Sequence, residues 1–582
     1  MRRMLAGLAA TTLVSAGLAG LGTPAEASTS TSSKVGSASL TRYVVLYAEG
    51  SSQAAGRAAV KAAGGTLVSD NASIGVATVE SRDPQFRAKA GRQSALAGVA
   101  ADRVIGRAPK DKKASADAPA KSDIEKSVGA RSASKGAAAQ KTTRGKTPAS
   151  TADGSSEPLA SRQWDMRQID AFAAQREQAG DKRVKVGIID TGVDGSHPDI
   201  APNFDKADSR NFVTDIPEDA EGTTVDGPCE YSGCVDPADH DDNGHGTHVA
   251  STIGAAVNGV GIAGVAPNVT LVNLRAGQDS GYFFLQPTVD AITYAGTSGV
   301  DVVNMSFYTD PWLFNCASNP ADSPQEQQDQ RTVIAATQRA VNFAHQNGVT
   351  LVAASGNENT DLGDPGTDTT SPDYPVSGSE IRDRELDNAT CLSMPTEAEH
   401  VLAVNATGPS ERLAYYSNYG TEQTTVAAPG GDSRDLNAGV PAGQTTVLAA
   451  YPANVLKDEG LLNKDGTPTV TSVIADCSSG TCAYWRYLQG TSMAAPHAVG
   501  VLALILSEYG HKDGQDKGGL TLNPVQSEKI LKRTAQEHAC PSPRTVEYVK
   551  GFSATCEGST EFNGFYGSGI VNALAAVTSK KG

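Results

Sequence analysis

Apolar and polar positions fall into two patterned regions separated by a stretch with no pattern. From residue 184 onward, short apolar runs alternate with amphipathic segments. Val184 to Ile189 is continuously apolar, as in a strand covered on both faces. Runs of the same kind occupy 269–274, 300–305, 349–354 and 400–404. Helical spacing occupies His248 to Ala256, Thr288 to Ala295, Arg331 to Gln346 and Ser492 to Glu508. Asn523 before Pro524 reads as the cap and first turn of another helix. Strands alternating with helices predict an α/β fold, a parallel sheet with helices on both faces. Functional residues then belong at the carboxyl ends of the strands.

The upstream pattern is smaller. Tyr43 to Tyr47 reads as a strand, Gln53 to Ala63 as a helix ended by Gly64-Gly65, and 66–68 and 75–79 as two further strands. A second helix is expected from Asp83 and a last strand at Arg103-Val104-Ile105. That order predicts a small α+β, ferredoxin-like sandwich over 40–109. Residues 110–158 are mostly Ala, Lys, Ser, Thr and Gly. Such a segment buries too little surface to offset its ordering entropy, so it reads as a disordered linker, leaving 159–582 as one large domain.

Charge sharpens this division. Residues 1–158 carry 22 Lys/Arg against 12 Asp/Glu, a net of +10, and the remainder carries 27 against 53, a net of −26. An acidic domain is a poor partner for polyanions, so nucleic acid is excluded as a ligand class. Met1-Arg2-Arg3, the apolar run Leu5 to Leu21 and Ala25-Glu26-Ala27 make 1–27 a cleavable export signal. The run Ala498 to Leu506 is too short to span a bilayer. The expected mature species is a secreted, extracellular monomer with no membrane anchor.

Four polar sites interrupt the apolar framework: Asp190 after the first strand, His245 in DDNGHGTHVAST, Asn357 after the fourth strand, and Ser492 at the start of a buried helix. Singly, each fits a turn, a glycine loop or a cap. Together they divide one chemistry among them. A Ser hydroxyl needs a base to attack a carbonyl, and a neutral imidazole is such a base. The imidazole needs a carboxylate to fix its tautomer, and the tetrahedral oxyanion needs fixed donors, which an Asn amide and a helix N-terminal N–H supply.

The blocks IIDTGVDGSHPD, GHGTHVAST, GVAP, NMS, AASGNEN and GTSMAAPHAVG stand in the order found in the subtilisin-like serine proteases, which residues 160–578 resemble. The resemblance implies a serine endopeptidase with Asp190, His245 and Ser492 as triad and Asn357 as oxyanion donor. It makes 40–109 an inhibitory propeptide, the chain's own intramolecular partner, ahead of a catalytic domain at 159–582. It also implies a peptide groove edged by Ser280-Gly281, by Ser306-Phe307-Tyr308 and by Ala354-Ser355-Gly356, taking protein or peptide substrates. Tyr308 stands where the family commonly has a small residue, which would narrow the pocket. A protease of narrow processing specificity, or a silent relative acting as a binding protein, are the alternative readings. His248 and His497 are read as structural, and Asp241 and Asp242 as solvating the loop before His245.

The family needs no cofactor for catalysis. Asp199 matches a family calcium ligand, but the loop Val257 to Gly261 is shorter than usual, so no metal site is assigned and calcium stands only as a candidate structural ion. All eight cysteines lie in the acidic part. Cys229 with Cys234 and Cys477 with Cys482 are close enough for local disulfides, and Cys316–Cys391 with Cys540–Cys556 would complete a set, although spacing alone does not fix the pairing. Their gaps do not match zinc-site spacing.

Overall fold

The computed structural model describes residues 40–102, 104–107, 156–218, 224–307, 312–372, 381–436, 439–478, 480–512, 514, 519–549 and 552–579. The expected export signal, residues 110–155 of the expected linker, and Tyr308 lie outside the described residues.

The amino-terminal unit contains β1 (Thr41–Tyr47), α1 (Gln53–Ala62), β2 (Thr66–Asn71), β3 (Val76–Ser81), α2 (Phe86–Ala90) and β4 (Leu96–Ala101). They form an antiparallel sheet of order β2-β3-β1-β4. Its closing strand is β4, not the expected run around Val104. The Ala- and Gly-rich LAGVAA sequence carries little strand preference of its own, and pairing with β1 overrides that. Val104–Arg107 is instead a separate strand, β5, that leaves this sheet altogether.

The larger body begins with α3 (Trp164–Gln168) and α4 (Ala171–Glu177). Then follow β6 (Lys185–Ile189), β7 (Arg210–Asn211), α5 (His245–Gly254), β8 (Thr270–Arg275), β9 (Tyr282–Phe284), α6 (Leu285–Ala295), β10 (Val302–Met305) and α7 (Pro324–Gln346). The remaining main elements are β11 (Thr350–Ala354), β12 (Val401–Thr407), β13 (Thr424–Pro429), β14 (Val447–Ala450), β15 (Val473–Asp476), β16 (Ala483–Leu488), α8 (Thr491–Tyr509) and α9 (Pro524–Thr534). The main sheet is parallel, of order β13-β12-β11-β10-β6-β8-β7. The α/β architecture expected from the alternation is therefore present.

Side-chain alternation splits the core in two. Val186, Ile188, Val302, Val352 and Val404 pack with α5 and α8 on one face. Ile189, Val303, Met305, Leu351 and Ala353 pack with α6 and α7 on the other. Both faces are apolar because both are covered, which is why these strands read as continuous runs. Helix α8 is long and apolar enough to cross a membrane by composition, yet 89% of its most apolar window is buried in this core. Asn523 caps α9 through its side chain on Val525 N, as expected.

The amino-terminal unit packs on the α6–α7 face. Val44, Leu46, Ile74 and Val76 join the apolar cluster of those helices. Arg87 makes a two-pronged pair with Asp329 (2.6 and 3.2 Å), and Asn71 donates to Asp290 at 2.7 Å. Four disulfides are present: Cys229–Cys234, Cys316–Cys391, Cys477–Cys482 and Cys540–Cys556. Glu157, inside the stretch read as linker, is buried and accepts from Gly259 N at 3.0 Å, so packing of the body starts ahead of residue 159.

Candidate active site

Strands β6, β10 and β11 are adjacent, with Ile189 opposite Met305 and Met305 opposite Ala353. Asp190, Ser306 and, a few residues on, Asn357 therefore emerge at the same end of the sheet. Asp190 is fully buried, and its Oδ1 accepts from Thr191 N and lies 2.8 Å from His245 Nδ1. A carboxylate only accepts, so Nδ1 carries the proton and the lone pair of the neutral ring is left on Nε2.

That contact requires α5 to approach β6 closely, and glycine permits it. A Cβ on Gly246 would sit 2.1 Å from Gly192 O and 2.9 Å from Asp190 Cβ. Gly244, which precedes the helix, has φ 93°, and a Cβ there would meet the Tyr451 ring at 2.4 Å. The turn is tied by Asp241. Its Oδ1 accepts from Asn243 N and Gly244 N, and its Oδ2 from Thr247 N (3.0 Å) and Thr247 Oγ1 (2.5 Å). Asp241 is 1% exposed. It organises the His245 turn rather than solvating a loop, a role that the D-x-N-G-H-G-T spacing encodes through its capping geometry. Asp242 does reach the rim, where it pairs with His240 and accepts from Asn454.

His248 is fully buried. Its Nε2 donates to Val447 O and Arg486 O, and burial, with His245 nearby, pushes its pKa down to about 3. It is a neutral strut between α5 and the sheet formed by β14, β16 and β15.

Ser492 stands in the first turn of α8, with Gly490 preceding the helix. Its Oγ lies 3.3 Å from Ser306 O. Thr491, one residue earlier, donates to Asn357 Oδ1 from both its N–H and its hydroxyl, each at 2.9 Å. With Asn357 Oδ1 committed in this way, the amide NH2 is the end left to donate elsewhere. Thr491 Oγ1 also accepts from Gly356 N, so β11 and α8 are locked together at this point.

Of the residues read as groove walls, Ser280 and Gly281 form a turn in which Gly281 has φ 83°. Asp226, from the segment holding the Cys229–Cys234 disulfide, accepts from Ser280 N and Oγ at 3.0 and 2.8 Å. Phe307 stacks on Phe283 at 4.2 Å between ring centroids. Ser355 N donates to Val404 O, so this N–H and that of Gly356 are both used inside the protein. Ala354 O accepts from Thr396 Oγ1. Along the other edge, β5 pairs antiparallel with β9, Arg107 opposite Tyr282 and Val104 opposite Phe284. The chain leaving the amino-terminal unit thus pairs with the strand that follows Ser280-Gly281. A cavity of about 790 Å³ lies at the opposite end of the sheet, lined by Lys185, Asp301 and Gly348, away from these groups.

Two positions bear on metals. Asp215, Asp236 and Asp279 converge closely enough for a shared cation, but the buried Arg275 guanidinium already bonds all three. Burial pushes Asp279 up to about 8 and Asp215 to about 6, each against the pull of that guanidinium. At the family's calcium position, Asp199 Oδ2 accepts from Trp485 Nε1 (2.6 Å) and Ile262 N (3.2 Å). The neighbouring loop turns Gly259 N toward Glu157, and Asn258 Oδ1 accepts from Val260 N. A calcium ion needs a shell of oxygens, whereas this position is ringed by N–H donors, so the residues present do not fit it. Burial raises Asp199 to about 8, against the indole and Ile262 N–H donors, which favour the ionised form. Trp485→Phe is expected to lower stability by about 1–3 kcal/mol, since the carboxyl then loses its partner. Thermal unfolding of an inactive form checks this, and millimolar calcium should not restore the loss.

Comparison with known proteins is consistent with this geometry. A family model described as Subtilase family matches residues 181–569. Subtilisin DY of Bacillus licheniformis is 29% identical over 341 residues, 59% of this chain and 83% of that one. In fold, the chain is similar to the epidermin leader peptide processing serine protease of Staphylococcus aureus, with a TM-score of 0.59 at 22% identity over 94% of this chain and all of that one. It is also similar to fervidolysin from Fervidobacterium pennivorans, a keratinolytic enzyme, with a TM-score of 0.52 at 20% identity over 94% of this chain and 62% of that one.

Proposed function

Since the chain belongs to the subtilase family and is a serine-type endopeptidase, we propose that it works through Ser492, His245, Asp190 and Asn357 and is made as an exported proenzyme. The observation that carries the catalytic reading is the Nδ1–Oδ1 bond between His245 and Asp190, at the same sheet end as the Thr491–Asn357 lock.

Ser492 Oγ attacks the substrate carbonyl while His245 Nε2 takes its proton. Asp190 stabilises the imidazolium so formed. The oxyanion is met by the Asn357 amide NH2 and by Ser492 N–H at the positive end of α8. His245 then returns the proton to the leaving amine, and water repeats the sequence on the acyl-enzyme. No cofactor enters any step.

The amino-terminal unit at 40–109 is the propeptide in this reading. Its apolar contacts with α6 and α7 hold it on the body, and β5 lies along the edge that substrate main chain would pair with. Maturation then cuts upstream of Glu157, because Glu157, Gln163 and Trp164 are bonded into the body. Residues 1–27 direct export, and the four disulfides suit an oxidising exterior.

The test is Asn357→Ala. It should cut kcat about 10²- to 10³-fold, the scale a subtilisin oxyanion donor sets, while KM stays within about twofold. Steady-state kinetics on a chromogenic peptide separates the two. An unchanged kcat would remove Asn357 from the oxyanion site.

A further inference from the structure

A buried His–Asp contact between the nucleophile helix and α3 takes no part in the steps above. His497 is fully buried and Asp165 is 1% exposed. His497 Nε2 lies 3.1 Å from Asp165 Oδ2, and its Nδ1 lies 2.8 Å from Met493 O. A ring nitrogen facing a carbonyl must carry hydrogen, so the ring is fixed between the two partners.

The backbone explains why this matters. In an α-helix the carbonyl of residue 492 is normally bonded by the N–H of residue 496, and Pro496 has none. Ser306 Oγ supplies the missing donor to Ser492 O at 2.9 Å and is itself oriented by Asn304 Nδ2 at 2.8 Å. One residue on, Met493 O is bonded by the His497 ring. Side chains thus hold the carbonyl of Ser492 itself and the next one, Ser306 just after β10 on the first and His497, backed by Asp165 of α3, on the second. Asp165 lies before the residues that the family model matches.

We propose that Asp165 is a positioning residue for Ser492, acting through His497 on Met493 O to fix the turn that presents the nucleophile. The proposal rests on Ser492 being the nucleophile. It couples the segment just after the expected maturation cut to the reacting hydroxyl. A carboxylate placed only for stability would behave differently, because a buried ion pair exchanged for apolar side chains of similar volume often leaves stability unchanged or raised.

Three variants of the full chain decide between these roles. After maturation, each is assayed for kcat and KM on a peptide amide, for the rate of labelling by a sulfonyl fluoride, and for thermal unfolding. Asp165→Ala should lower kcat and the labelling rate together by about 10- to 30-fold, with KM within about twofold, since a small misplacement of a reacting group is costly. Asp165→Asn can still donate to Nε2 and should recover kcat to within about threefold of the parent. The double variant D165L/H497L should fold with an unfolding temperature at or above the parent and still show the loss of kcat. Unchanged kcat and labelling in the double variant, or Asp165→Asn as impaired as Asp165→Ala, overturns the proposal. If Asp165→Ala does not accumulate, the other two variants decide. Should Ser492→Ala keep its activity, the catalytic assignment fails, whereas failure of the Asp165 variants alone leaves that assignment standing.

Discussion

Ser492→Ala is expected to abolish peptide hydrolysis, with kcat falling about 10⁶-fold, a scale that comes from a subtilisin triad and not from this chain. In the proposed mechanism the hydroxyl is the bond-forming group, and Ala would leave the proposed oxyanion donors and groove in place while removing it. Binding should survive, so an active-site-directed peptide aldehyde should lose its covalent affinity but keep its weaker contacts. If the enzyme makes its own cut upstream of Glu157, the same variant accumulates as an uncut precursor. Mass spectrometry of the purified chain reads this directly. Mature-length protein from Ser492→Ala produced alone would mean that another protease makes the cut.

Asp190→Asn should come second, at about 10⁴-fold in kcat, with the fold intact. The reason lies in hydrogen bookkeeping. Asp190 Oδ1 now receives Nδ1–H from His245 and the N–H of Thr191, both at 2.8 Å. An amide oxygen in the Oδ1 place keeps both contacts but carries no charge, so the imidazolium formed in the proposed mechanism loses its counter-ion. An amide NH2 in that place would instead make Nδ1 accept and move the ring proton to Nε2, removing the proposed base. The Asn has the same shape in the same buried place, so thermal unfolding should shift little compared with the loss of rate. A kcat within about tenfold of the parent would exclude this division of roles.

The proposed site was legible because its residues sit in short linear blocks, each a few residues long and each dictated by local geometry. GHG is a block because Cβ atoms at 244 and 246 would collide with Tyr451 and Gly192. The alternating runs were legible because both sheet faces are covered, so apolar stretches remained continuous. Other parts were hidden for physical reasons. Strands β13 and β14 to β16 are short and separated by turn-rich sequence, and they acquire their identity only from pairing. β4 is mostly small residues, and only the presence of β1 beside it makes it a strand. Asp165 stands in no motif or periodic run, and its partner lies 332 positions away. Asp241 was misread because four acceptor contacts within one turn, and a fifth to Thr191, leave no hydrophobic trace in the sequence.

An endopeptidase at working concentration always has one abundant protein within reach, which is itself. Exposed loop tips are where such attack concentrates. Three of the four disulfides close short circuits: Cys229–Cys234, Cys477–Cys482 and Cys540–Cys556, with separations of 5, 5 and 16. The fourth, Cys316–Cys391, encloses α7, β11 and Asn357 within a span of 75. A cut inside any of these circuits leaves both new ends on the same covalent body. A nicked molecule then shows extra fragments only after reduction, while the segment that carries Asn357 stays tethered to the rest. Durability in such an enzyme comes less from avoiding self-cleavage than from surviving it.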